Sequence, residues 1–181
     1  GLVKNEKVIV VSINYRLGPF GWLSHPAIQD FQDGLDKTSN FGTLDIIKAL
    51  EWVNENIAKF GGDKNNITIF GESAGGHNVL SLLVAPLAKG LFHKAISQSG
   101  YTTSITYETA FNEKHENIDY INSNEVVTKI FGPDKELSEI RMGLKSLSAY
   151  EFYDYYSNDP FKEIPLTTND GIIIPMKGIL D

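Results

Sequence analysis

Two textures of apolar and polar positions follow one another along the chain. Lys7-Val8-Ile9-Val10-Val11-Ser12-Ile13-Asn14-Tyr15 is a largely β-branched run without polar alternation. Such a run predicts a strand buried on both faces, as in a parallel sheet. Gly18-Pro19-Phe20-Gly21-Trp22-Leu23 breaks the run as a loop, and residues 24–42 continue as irregular polar chain. From Thr43 to Phe60 the period changes to three and four. Leu44, Ile46, Ile47, Leu50, Val53, Ile57 and Phe60 then share one helix face, with Thr43 as N-cap and Gly61-Gly62 as the stop. Asn66 to Gly71 reads as a second strand. Ala74 to Ala85 reads as a helix buried around most of its circumference and ended by Pro86, and Lys94 to Gly100 as a third strand. Strand, helix, strand, helix, strand predicts an α/β fold with right-handed crossovers.

Beyond residue 100 the pattern predicts amphipathic or polar helices over 107–131 and 136–156, separated by Gly132-Pro133. Ser148 with Glu151 three residues later is a capping-box pattern. Asp170-Gly171 within Thr168 to Ile172 is a hairpin signal.

Composition narrows the function classes. At 41% hydrophobic and 22% charged, the 181 residues form a globular chain with a real core. No cysteine is present, which excludes a disulfide scaffold and a thiolate metal site. The apolar runs are far too short for a membrane span. Residues 1–100 carry nine acidic and nine basic side chains, so the whole net charge of −7 falls after residue 100. An acidic surface repels phosphate backbones and disfavours nucleic acid as a partner.

Gly71-Glu72-Ser73-Ala74-Gly75 is a G-x-S-x-G match with a strand running into it and a helix running out. A nucleophile needs this context: the sharp turn strains the serine backbone and projects the hydroxyl from the C-terminal edge of the sheet. Gly71 and Gly75 are expected to remove side chains that would clash. The backbone N–H of Ala74, at the helix start, can donate to an oxyanion. The alternative is a turn serine in a glycine-rich corner.

Six blocks carry a resemblance to a known family: Asn14-Tyr15-Arg16-Leu17-Gly18-Pro19-Phe20-Gly21; Asn40-Phe41-Gly42 with Leu44-Asp45; Ala49-Leu50-Glu51-Trp52-Val53 with Asn56-Ile57; Phe60-Gly61-Gly62-Asp63; Ile67 to Gly76; and Leu91-Phe92 with Ala95 to Gly100. The chain resembles the type-B carboxylesterase and cholinesterase family of α/β-hydrolases over residues 8–100, and more loosely beyond, at Asp170-Gly171 with Pro175. The resemblance implies a partial α/β-hydrolase fold, a mostly parallel sheet flanked by helices, with a helical segment after residue 100. Residues 1–100 would form the core of a single domain, and residues 101–181 a helical covering region with a hairpin. It implies hydrolysis of a small-molecule carboxylic ester through an acyl-enzyme on Ser73, with Ala74 as an oxyanion donor and no metal or organic cofactor. Glu72 and Ser99 resemble family residues of the surrounding hydrogen-bond network, and Gly71, Gly75 and Gly76 shape the turn.

Other family pieces do not occur in the chain. No glycine-rich HGGG-like oxyanion run is present. In this fold the acid and then the histidine follow the serine, and the family places both well beyond residue 181. The resemblance therefore implies an internal segment, in which the strand between 8–13 and 67–70 is supplied from upstream and isolated folding is doubtful. His25, His77, His93 and His115 are read as structural or surface histidines without metal-ligand spacing. Arg16 and Asp45 are expected to form an ion pair. Tyr150, Phe152, Tyr153, Tyr155 and Tyr156 line a gorge or, in the simpler reading, pack a helix. A second functional reading is a noncatalytic binding or adhesion module of the same fold, which the intact Ser73 disfavours.

Overall fold

In the computed structural model, which describes residues 2–114, 121–157 and 167–180, the helices are α1 (Leu2–Glu6), α2 (Gly18–Gly21), α3 (Pro26–Gln29), α4 (Phe41–Asn56), α5 (Ala74–Val84), α6 (Tyr107–Phe111), α7 (Ser123–Phe131), α8 (Leu137–Ser146) and α9 (Ala149–Ser157). The strands are β1 (Thr68–Glu72), β2 (Lys94–Gln98), β3 (Ile105–Thr106) and β4 (Thr168–Asn169). No helix among the described residues is long and apolar enough to cross a membrane. Two compact units are present. One joins the segment up to Arg16 with Gly42–Thr102, and the other joins Leu17–Phe41 with the segment from Thr103 onward.

In the first unit β1 and β2 pair in parallel, from Thr68 opposite Lys94 to Glu72 opposite Gln98. Helix α5 connects them in sequence and packs on both. Ile46, Ile47, Leu50, Val53 and Ile57 are buried, as their spacing predicts. The helix begins at Phe41 rather than at Thr43, which is buried inside its first turn instead of capping it. A 3₁₀ turn over Ile57–Phe60 follows, and Gly61 at φ 83° ends it in the left-handed conformation that favours glycine. Phe60 departs from the predicted face: it is exposed and tilts against exposed Trp52.

The expected first strand is not formed. Residues 7–15 pair with no strand among the described residues, and Val8, Ile9, Val10, Val11 and Ile13 are 37–46% exposed. An apolar β-branched run becomes a strand only when a neighbour accepts and donates its ladder hydrogen bonds. Tyr15 is anchored, its hydroxyl accepting from the Asn78 side-chain amide at 2.9 Å. The other strands are open too: of β1 only Ile69 is buried, and β2 is exposed throughout. On α5, Val79 and Leu82 are buried and Leu83 is exposed, so burial covers less of the helix than expected. The Arg16–Asp45 pair forms as expected. The guanidinium donates through Nε at 2.7 Å and Nη2 at 2.6 Å, and the Arg16 backbone N–H adds a third bond at 3.0 Å. These bonds hold the Asp45 carboxyl below its ordinary range.

The second unit contains what the sequence pattern leaves irregular. The two ends of residues 24–40 turn inward: Ser24, His25, Gln29, Thr38, Ser39 and Asn40 are all buried, while residues 33–37 between them are exposed. Burial is tolerated because most of their side chains replace missing backbone partners. Gln29 Nε2 donates to the Leu23 and Thr38 carbonyls, and its Oε1 accepts from His25 N–H. Asn40 exchanges two hydrogen bonds with the backbone of Thr168, at 2.7 and 2.9 Å.

The Asp-Gly signal is also resolved differently. Thr168–Asn169 pairs in parallel with Ile105–Thr106, so no hairpin forms there. Asp170 Oδ1 instead accepts from the N–H groups of Ile172, Ile173 and Ile174, while Oδ2 accepts from Thr38 Oγ1 and Ser39 N–H. An aspartate that gathers successive N–H groups builds a local turn, which competes with hairpin pairing. The capping box is present: Ser148 N–H donates to the Glu151 carboxylate, and Glu151 N–H to Ser148 Oγ. The predicted helix over 107–131 appears as α6 and α7, with residues 115–120, and so His115, outside the described residues. Along α9, Phe152 and Tyr156 are buried edge to face while Tyr150, Tyr153 and Tyr155 are exposed, so two of the five aromatics pack the core.

His25 caps α3. Its Nδ1 accepts from Ala27 N–H at 3.1 Å, and its ring meets Phe111 edge-on. Burial pushes its pKa down to about 4, against the opposing pull of Asp30. An unfolded histidine titrates near 6.5, so the unfolded chain takes up a proton first as pH falls. The contribution of His25 to stability is therefore full above about pH 6.5 and is lost as pH falls toward 4, by roughly 3 kcal/mol at most. Urea midpoints measured across that window should fall with pH. His25→Asn, which keeps the cap acceptor, should flatten the dependence, and an unchanged slope would remove His25 as its source.

Candidate functional site

Ser73 lies between the last residue of β1 and the first residue of α5, at φ 54° and ψ −116°. That combination is outside the regions a residue with a Cβ ordinarily occupies. Its neighbours explain how it is held. Ser73 N–H donates to the Gln98 carbonyl at 2.9 Å, and the Ser73 carbonyl accepts from His77 N–H at 2.9 Å. The turn is thus pinned to β2 on one side and to α5 on the other.

The glycines divide into two kinds. A Cβ on Gly71 would stand 2.4 Å from the Gly75 backbone, and one on Gly76 would stand 2.8 Å from the Gln98 oxygen and 2.9 Å from Gly100 Cα. A Cβ on Gly75 would meet nothing within 4 Å. The expected clash therefore holds at Gly71 and does not hold at Gly75, whose role is to present bare backbone to Gly71. Gly76 and Gly100 allow the helix start and the strand end to approach closely, and Ser97 Oγ adds a hydrogen bond to the Gly76 carbonyl at 3.1 Å.

Glu72, Ser73 and Ala74 are exposed. Ala74 is the first residue of α5, where N–H groups have no acceptor within the helix and the helix dipole is positive. A hydroxyl beside such an N–H can attack a carbonyl whose oxygen the N–H then receives. Ser99, exposed and just past β2, has a φ of 50° and sits between Gln98 and Gly100, both of which touch the start of α5. The structure thus brings Gly71, Glu72, Ser73, Ala74, Gly75, Gly76 and the Gln98–Gly100 segment to one corner.

The described histidines make contacts of their own. His93 accepts at Nδ1 from Ile67 N–H at 3.3 Å, six residues before Ser73 and so about 20 Å away along the strand. His77 is buried, with Nδ1 at 2.7 Å from the Tyr101 carbonyl and its ring stacked on Tyr101 at 4.4 Å. Burial lowers its pKa, and the hydrogen bond to Tyr101 partly offsets this. The pairing of His77 with Tyr101 carries no local sequence signal, because 24 residues separate the two. Among the described residues no group of three or more His, Cys, Asp or Glu is placed to hold a metal ion.

The Carboxylesterase family model matches residues 1–174. The chain is 50% identical over 109 residues to the para-nitrobenzyl esterase of Bacillus subtilis, covering 60% of this chain and 21% of that protein. It is 40% identical over 173 residues to the human cocaine esterase, covering 94% of this chain and 27% of that one. Among solved structures, a carboxylesterase of Geobacillus stearothermophilus superposes with a TM-score of 0.74 at 34% identity, covering 95% of this chain and 33% of the other. The chain thus spans about a quarter of the length of these two curated relatives.

Substitution separates the two kinds of glycine. Gly76→Ala should cost at least about 2 kcal/mol, because backbone on β2 must move, and Gly75→Ala should stay within about 0.5 kcal/mol. Urea unfolding of the two variants tests this, and equal costs would show that the approach of α5 to β2 is not the constraint.

Proposed function

The chain belongs to the carboxylesterase family and has an α/β-hydrolase fold, and on that premise we propose that it supplies the nucleophile for hydrolysis of a carboxylic ester. Ser73 Oγ bonds to the acyl carbon while its proton passes to a histidine. Ala74 N–H receives the oxyanion, and the carbonyl re-forms as the alcohol leaves with that proton. Water then attacks the acyl-serine by the same route and releases the acid. The observation that carries this reading is the positive φ of Ser73 at a strand-to-helix junction, the turn that a nucleophile elbow requires at the start of a helix, where N–H groups have no intrahelical acceptor.

The proton acceptor is the piece the described residues do not offer. His25 and His93 each accept a backbone N–H at Nδ1, and His77 is buried with its ring stacked on Tyr101. We infer from the family resemblance that the histidine, its acid partner and the two remaining oxyanion donors belong to polypeptide outside these 181 residues, a reading supported by the chain's spanning about a quarter of its relatives' length. In this reading residues 1–100 form the core of a single domain and residues 101–181 a region covering it. Glu72 and Ser99 would support the network around the acquired histidine.

An organophosphonate probe tests the reading. The full-length protein should be labelled, and Ser73→Ala should lose the label. The 181-residue chain alone should hydrolyse a short-chain nitrophenyl ester at no more than the background rate. Labelling that survives Ser73→Ala would move the nucleophile elsewhere, and robust turnover by the chain alone would show that it contains its own base.

A further inference from the structure

Both strands of the parallel pair end on a serine with positive φ: Ser73 follows β1 at 54°, and Ser99 follows β2 at 50°. Neither is a glycine, and a positive φ is uncommon for a residue with a Cβ, so each turn depends on what holds it. The two turns depend on each other. Ser73 N–H takes its acceptor from Gln98, the residue before Ser99. Any drift of the Ser99 turn carries the Gln98 carbonyl away from Ser73.

We propose that His77 is a positioning residue for Ser73: by gripping Tyr101, two residues past Ser99, it locks the end of β2 against the first turn of α5. A carbonyl can only accept, so the 2.7 Å contact to Tyr101 requires a proton on Nδ1. The rings lie 4.4 Å apart and 13° from parallel, which adds a stacked face to that bond. His77 is 5% exposed, so the bond is shielded from competing water. The same residue's backbone N–H holds the Ser73 carbonyl. One residue thus touches both turns, through its main chain at Ser73 and through its side chain at Tyr101. Ser97 Oγ adds a tie to the Gly76 carbonyl on the strand side of Ser99. The consequence for catalysis rests on the proposed role of Ser73, whereas the grip on the turn does not.

Hydrogen exchange on the full-length protein, read by mass spectrometry, tests this without an activity assay. His77→Phe keeps a ring against Tyr101 and removes the donor. His77→Asn places an amide N–H close to the position of Nδ1. In the Phe variant the peptide covering Gly71–His77 should exchange about fivefold faster or more, while the peptide covering Ile46–Val53 should be unchanged. The Asn variant should exchange like the native protein at both. The proposal is overturned if the Phe variant leaves Gly71–His77 unchanged, if the Asn variant accelerates as the Phe variant does, or if Ile46–Val53 accelerates equally. Absence of phosphonate labelling alongside the expected exchange pattern would remove the esterase reading and leave the positioning role in place.

Discussion

A residue with a Cβ held at φ 54° and ψ −116° stores strain that its neighbours must oppose, and the first unit is arranged around that requirement at Ser73. The opposition comes from close approach. Gly71 lets the strand pass against the Gly75 backbone, and Gly76 with Gly100 lets α5 start directly on the end of β2. Only at that separation can Ser73 N–H reach the Gln98 carbonyl. The parallel pairing of β1 with β2 is part of the same constraint, because it brings both strand ends, and both positive-φ serines, to one edge. Active sites of open α/β sheets lie at that edge for this reason: chain leaves the strands there and helices begin.

The elements legible in the sequence are those whose causes are local. The buried face of α4, the glycine stop at Gly61, the helix from Ala74 and the Ser148–Glu151 box each depend on residues within one or two turns. The strand-turn-helix around Ser73 is local in the same sense, so its position could be read from a short motif and the pattern on either side. The Arg16–Asp45 pair spans 29 residues, so no local spacing signals it.

What the pattern missed depends on distant partners. Buried Asn40 looks like loop until Thr168 arrives to exchange two hydrogen bonds with it, and Asp170 looks like a hairpin turn until its carboxylate collects three successive N–H groups. Polarity alone reports that a side chain needs hydrogen bonds, not whether water or backbone supplies them. The error at residues 7–15 has the opposite sign. Their β-branched composition favours pairing, but a strand is a property of a pair, and no neighbour stands beside them among the described residues.

That unmet requirement bears on the chemistry. Val8 to Ile13, Phe70 and Ile96 present exposed apolar surface, and every residue of β2 is exposed. Surface of this extent is the kind that further polypeptide covers. In the proposed reading the machinery divides along the same line. A nucleophile and one oxyanion N–H need only a strained turn and a helix start, which residues 71–101 hold together through contacts among themselves. Proton transfer needs a base aligned with the hydroxyl from another direction, because His77, one turn along the same helix, is buried with its ring stacked on Tyr101. In the proposed reading the nearest histidine is buried at the turn itself, and the base comes from chain that packs over this edge rather than from the elements that build it.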